Sequence, residues 1–204
     1  MSAAGSQPDG FVHHRLLLAG IGGQGVIFAT RLLARTAAAM GLPVLASETH
    51  GMTQRGGSVL AHLKLGGSKA PLIRWGTADL LLAFDRDEAL RNLPFLRSGG
   101  SAFINAAEEL SSEVVQALQG RAIQVHCLPA TQLAMALGSS AVANVVLIGY
   151  AAAHPSFPIP LERIREALAQ LGQELNLRAL QAGVEAAPGA RADGRRAMAR
   201  AAGT

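Results

Sequence analysis

The apolar run RLLLA (15–19) breaks at Gly20, and beyond Gly25 the apolar positions return at a helical spacing. Val26, Ala29, Leu33, Ala37 and Met40 share one face, while Arg31 and Arg35 stack on another. This pattern predicts a buried strand followed by a helix, stopped by Gly41 and blocked from continuing by Pro43. PVLAS (43–47) then reads as a second strand ending at Glu48, closing a strand–helix–strand unit of the length a parallel crossover needs.

After a polar, glycine-rich loop the period changes. SVLAHLKL (58–65), a turn at Gly66–Gly67 and APLIRW (70–75) read as two paired strands. ADLLLAF (78–84) is a further buried strand, and DRDEALRNL (85–93) is a charged helix that Pro94 ends. SAFIN, SSEVVQALQG and RAIQVH supply another strand–helix–strand unit. The rest is helical: TQLAMAL, SSAVANVVLIGYAAA, PLERIREALAQLG and ELNLRALQAGVEAA. The expected fold class is α/β: a Rossmann-like, mostly parallel sheet with flanking helices, an inserted β-hairpin and a helical C-terminal part. The expected domain spans 15–187, between an N-terminal tail (1–14) and a basic flexible tail (188–204).

Composition sharpens this outline. Half of the 204 residues are hydrophobic but only 4% are aromatic, so the core must be close-packed Ala, Leu, Val and Ile among 23 glycines. A net charge of +4 is too small to imply a nucleic-acid surface, and Arg191, Arg195, Arg196 and Arg200 crowd the C-terminal tail. The longest apolar run falls far below the roughly 20 residues of a spanning helix, and the first ten residues lack the pattern of a secretory signal. A cytoplasmic protein with neither membrane nor nucleic-acid partner is expected. Its one cysteine, Cys127, excludes an internal disulfide and a cluster held by four thiolates of this chain. The histidines His13, His14, His62, His126 and His154 show no metal-ligand spacing, and no metal is assigned to the chain.

Two loops carry the candidate chemistry. Gly20, Gly22 and Gly25, with Gly23 and Gln24 between, satisfy Gly-x-Gly-x-x-Gly between a strand and a helix. Such glycines allow a tight turn and a close ligand approach, and the helix N-terminus favours a phosphate. Glu48, ending the second strand, stands where a ribose-binding acid is expected. The alternative is that the glycines serve only the turn. The second loop packs Glu48, Thr49, His50, Gly51, Met52, Gln54, Arg55, Gly56, Gly57 and Ser58 into one polar connection. That density of polar groups points to a ligand or to another chain, the alternative being a loop that satisfies its own backbone. Arg55 can pair a carboxylate bidentately, and His50 reads either as an acid or base or as a hydrogen-bonded structural residue. Asn144, inside an apolar helix, reads as a satisfied buried amide able to cap the glycine loop.

GIGGQGV followed by SETHGMTQRGGSV resembles the gamma-type subunits of the 2-oxoacid:ferredoxin oxidoreductases, and the HGM-x-QRGGSV form is most similar to the small (beta) subunit of the indolepyruvate enzymes. ADLLLAFDRDEALR and SSAVANVVLIGYAAA extend the likeness, which covers about Leu16 to Ala187. The resemblance implies an enzyme that oxidatively decarboxylates a 2-oxoacid on thiamine diphosphate. Electrons then pass through 4Fe–4S clusters to ferredoxin, commonly with formation of an acyl-CoA. With one cysteine, and no GDG followed by paired asparagines to hold Mg²⁺ and a diphosphate, this chain carries neither centre. The resemblance therefore implies a hetero-oligomer in which thiamine diphosphate, Mg²⁺ and the iron–sulfur clusters sit on a large catalytic (alpha) subunit. The glycine loop is then a docking turn or a contact for CoA phosphates, and the second loop with Asn144 belongs to the subunit interface or the approach to the active site. Gamma subunits of pyruvate, 2-oxoisovalerate or 2-oxoglutarate enzymes remain as alternatives, as do a stand-alone NAD(P) dehydrogenase and a structural assembly protein.

Overall fold

The structure, a computed structural model, describes residues 13–50, without the side chain of His50, and 56–188. Most of the two expected tails lies outside the described residues, as do Gly51, Met52, Gln54 and Arg55 of the second loop. The chain runs β1 (His14–Ile21), α1 (Val26–Ala39), β2 (Val44–His50), β3 (Ser58–Leu65), β4 (Ala78–Ala83), α2 (Arg86–Asn92), β5 (Leu96–Asn105), α3 (Ser112–Gln119), β6 (Gln124–Leu128), α4 (Ala130–Ala136), α5 (Ala143–Ala152), α6 (Leu161–Gln170) and α7 (Glu174–Ala186). Six strands form one sheet in the order β2-β3-β1-β4-β5-β6. β1, β4, β5 and β6 are parallel, whereas β3 is antiparallel to both of its neighbours, β1 and β2.

Successive strand residues point to opposite faces, so the all-apolar β1 feeds two cores. Leu16 and Leu18 join Leu63, Leu82 and Phe103 beneath α1, α5, α6 and α7. Leu17 and Ala19 join Leu81, Ala83 and Ile104 beneath α2 and α3. α5 is apolar all round and is buried from Asn144 to Ala151, as a helix without a polar face must be. It packs on α7 through glycines, since a Cβ on Gly149 would lie 2.1 Å from the Leu180 carbonyl oxygen and one on Gly183 would lie 1.9 Å from that of Val146.

The elements on either side of the second loop pair differently from the sequence expectation. APLIRW is not a strand. Pro71 has no N–H to give, the Ile73 N–H goes to His62 Nδ1 at 3.1 Å, and Leu72 and Trp75 are 51% and 72% exposed. Ile73 is the buried side chain of the segment, which Lys64 also holds by donating to the Ala70 carbonyl at 2.7 Å. The hairpin is instead β2–β3, closed by the second loop, and its arrangement splits the first strand–helix–strand unit. β2 runs parallel to β1 as expected, but β3 lies between them. Burial explains the order: Val59, Ala61, Leu63 and Leu65 of β3 are buried, so β3 takes an interior place, while β2, with Ser47, Glu48 and Thr49, suits the edge.

Two imidazoles, His62 buried and His126 half-buried, make stability acid-sensitive. Burial, with the nearby Lys64 charge, holds His62 below its ordinary value, and protonation would abolish its acceptance of the Ile73 amide. His126 stacks on Phe103 and lies 4.6 Å from the His154 ring, a pairing invisible in the sequence. Burial and His154 lower its pKa, and its Nε2 is buried without a hydrogen-bond partner among the described residues. For both bases the unfolded chain takes up the proton first. Stability is therefore level above about pH 6.5 and falls as the pH drops through the lowered native values. Thermal melts between pH 7.5 and 5 should show this decline, and His126→Phe should make it shallower. An identical slope in the variant would remove His126 from the explanation.

Candidate functional site

The two loops meet because β3 runs antiparallel beside β1. Gly20 pairs with Val59 and Ile21 with Ser58, and the ladder continues past the strand ends as the Gly22 N–H donates to the Gly57 carbonyl at 2.8 Å. The glycine loop is also closed on itself. The Gln24 side chain folds back so that its Oε1 accepts the Ile21 N–H at 2.8 Å, and the Gln24 N–H donates to the Ile21 carbonyl. Gly25 adopts φ +79°, and its carbonyl accepts from Asn144 Nδ2 at 3.2 Å, while Asn144 Oδ1 accepts the Val145 N–H at 2.8 Å. Asn144 thus tethers the start of α1 to the start of α5. A Cβ on Gly25 would meet its amide nitrogen at 2.1 Å.

From the opposite face, Glu88 of α2 reaches the same edge. It is 1% exposed, and its carboxylate accepts from Ser58 Oγ at 2.7 Å and pairs with Arg91. Asp85 caps α2 by accepting the N–H groups of Asp87 and Glu88. The end of β5 contributes Asn105, which donates to the Phe84 carbonyl and to Thr131 Oγ1 while accepting the Thr131 N–H. Sequence reasoning did not single out Asp85, Glu88, Asn105 or Thr131. The capping signal in DRDE, an Asp followed by an acid three residues later, marks the first two; nothing local marks the Asn105–Thr131 clasp.

α1 and α2 pack on opposite faces of the sheet, so the C-terminal ends of the adjacent strands β1 and β4 bound a topological switch point, where α/β sheets bind ligands. A dinucleotide fits poorly there. Three amides of the glycine loop, those of Ile21, Gly22 and Gln24, are already engaged within the protein. Glu48 lies in β2 opposite Ala61, which in turn pairs with Leu18. It is therefore two strands from β1, about 9–10 Å, and level with the middle of that strand. What remains is the first turn of α1, with no side-chain cap and no acidic residue, which favours an anion. Among the described residues no three His, Cys, Asp or Glu side chains converge on a possible metal position, and a single cysteine does not fit an iron–sulfur cluster.

Comparison with known proteins bears on the same residues. The sequence profile of the pyruvate ferredoxin/flavodoxin oxidoreductase family matches residues 15–186. The chain is 33% identical to the indolepyruvate oxidoreductase subunit IorB of Archaeoglobus fulgidus, over 82% of this chain and 92% of that protein. It is 28% identical to the 2-oxoglutarate synthase subunit KorC of Methanothermobacter thermautotrophicus, over 85% and 95%. Among solved structures it resembles the gamma subunit of a keto/oxoacid ferredoxin oxidoreductase from Geobacter sulfurreducens, with TM-score 0.65 and 25% identity over 84% of this chain and 96% of that one. The split strand–helix–strand unit and the two joined loops therefore have a known setting: the chain belongs to the pyruvate ferredoxin/flavodoxin oxidoreductase family.

Proposed function

We propose that the protein is the small subunit of a thiamine diphosphate- and iron–sulfur-dependent 2-oxoacid oxidoreductase. It acts on indolepyruvate or other arylpyruvates, passes electrons to ferredoxin, and is inactive alone. The observation that carries this reading is the 33% identity to an indolepyruvate oxidoreductase subunit along nearly that subunit's whole length. The donor chemistry supports a division of labour. With one cysteine the chain cannot hold a 4Fe–4S cluster, and it lacks a GDG followed by paired asparagines for Mg²⁺ and a diphosphate. In this reading thiamine diphosphate, Mg²⁺ and the clusters therefore sit on a large cytoplasmic partner.

In this reading the edge built from the glycine loop, Glu48 to Ser58 and Asn144 faces the catalytic subunit. The joined ladder fixes the part of that edge from Gly20 to Gly22 and from Gly57 to Val59, and Arg55 is assigned to pair a carboxylate of the partner or of the substrate. The uncapped start of α1 is the place for a CoA phosphate, and CoA-dependence of the rate decides whether it is used.

The test is co-expression with the candidate large subunit, purification of the complex, and assay of 2-oxoacid-dependent ferredoxin reduction. Indolepyruvate turnover by the complex, and by neither chain alone, is the expected result. A preference for 2-oxoglutarate, pyruvate or 2-oxoisovalerate would move the chain to the gamma subunits of those enzymes. NAD(P) binding by the isolated chain, without partner dependence, would overturn the proposal.

A further inference from the structure

Away from the loop edge, α1 and α6 part to leave a groove of about 730 Å³. Its floor is apolar, built from Phe28, Leu32, Met40, Ala167 and Leu171, the last 42% exposed. Its rim is cationic, carrying Arg31, Arg35 and Arg163 against a single carboxylate, Glu166. Arg163 is already paired with Glu166 at 3.0 Å. Arg31 and Arg35 are exposed and have no hydrogen-bond or ion-pair partner among the described residues. They stand one helical turn apart, an arrangement that is unfavourable in isolation because like charges at this spacing repel.

We propose that this groove seats an acidic, amphipathic helical segment of the large subunit. The inference rests on the proposed function and adds a second contact to the loop edge. Three features select the occupant. An apolar floor between two helices takes the apolar stripe of a third. α1, at 14 residues, is about 21 Å long, and α6, at 10, about 15 Å, so the groove accommodates three to four turns of helix. Two free guanidiniums at i and i+4 match two carboxylates at the same spacing on the facing helix, each guanidinium able to bind bidentately. The groove also begins near the proposed docking edge in sequence, since its lining residues Ile27 and Phe28 lie in the first turn of α1, which follows the glycine loop. A second copy of this chain offers a poorer match, since Glu162 and Glu166 on α6 are already paired with Arg165 and Arg163.

The test is the double charge reversal Arg31→Glu/Arg35→Glu, made in the small subunit and co-expressed with a tagged large subunit. Because neither arginine has a partner among the described residues, the isolated variant should melt with the wild type, which separates docking from folding. The dissociation constant of the complex is expected to rise at least tenfold, and its salt dependence to diminish. Hydrogen exchange in α1 and α6 should slow on assembly of the wild-type pair. The inference is overturned if the variant assembles with wild-type affinity and salt dependence. It is equally overturned if reversal abolishes only self-association of the small subunit, or only retention of a small anionic ligand. If the wild-type chains do not associate at all, the functional reading itself fails; if they form an active complex that the reversal leaves intact, only the groove assignment fails.

Discussion

Gly183→Ala should destabilise the protein by about 4 kcal/mol or more, lowering its melting temperature by about 10 °C. In an ordinary helix interior the same change would gain about 1 kcal/mol, because alanine is the better helix former. Here the new methyl carbon would lie 1.9 Å from the Val146 carbonyl oxygen and 2.7 Å from the Tyr150 backbone nitrogen. Backbone atoms of a buried helix cannot step aside as a side chain can. α7 must move away from α5, opening the contact at which Val146 and Gly149 meet Gly183 and Leu180, all of them buried. The clash and the lost packing exceed the propensity gain several-fold, and the loss is a large share of the 5–15 kcal/mol that holds a typical domain together. Denaturant titration gives the value directly. A variant as stable as the wild type would mean that α5 and α7 are not in backbone contact.

At the loop edge the largest expected effect comes from Gly25→Ala. The left-handed backbone at φ +79° costs a residue with a Cβ about 1–2 kcal/mol. The approach of the Asn144 amide nitrogen to 2.1 Å adds a steric term. The two contributions can be separated. Asn144→Ala removes the clashing group, so Gly25→Ala should cost clearly less in that background than in the wild type. Asn144→Ala alone forfeits the tether to the Gly25 carbonyl and should cost about 1–2 kcal/mol. Strict additivity of the two single effects, measured as denaturation midpoints, would show that the contact does not couple α1 to α5.

Periodicity made most of the elements legible. The helical spacing after Gly25, the apolar runs of β1 and β4, and the helical segments from Thr131 onward all form as their spacing requires. Pairing was another matter, because it depends on groups far apart in the chain. APLIRW has strand composition, but the His62 ring takes the amide that a ladder would have used, and no local pattern announces a side chain acting from the neighbouring strand. The place of β3 between β1 and β2 is written only in the relative polarity of SVLAHLKL and VLASETH. At the site, the glycine spacing disclosed a turn at a strand end, and the resemblance of the two loops disclosed the family. The closure of the glycine loop by Gly57 was not legible, since that contact arises only when β3 docks, whereas the Gln24–Ile21 contact spans three residues. The contact of Glu88 with Ser58 was hidden for a similar reason: Ser58 belongs to a strand on the far side of β1 from β4.

The placement of β3 also sets an order on biosynthesis. β1, α1 and β2 leave the ribosome before β3, yet β1 and β2 share no ladder: β2 pairs only with Ser58–Leu65, and β1 pairs with Ser58–Leu65 and with the still later β4. A nascent chain that has not reached Leu65 holds β2 with both edges open and lacks the strand that lies between it and β1, so the N-terminal segment cannot fold autonomously as a crossover unit. Once β3 emerges, it pairs with its predecessor β2 across a short loop and then with β1 at longer range, the slower of the two closures. Until then the apolar strands are exposed to chaperones and to one another, and a translational pause before Ser58 would prolong that exposure.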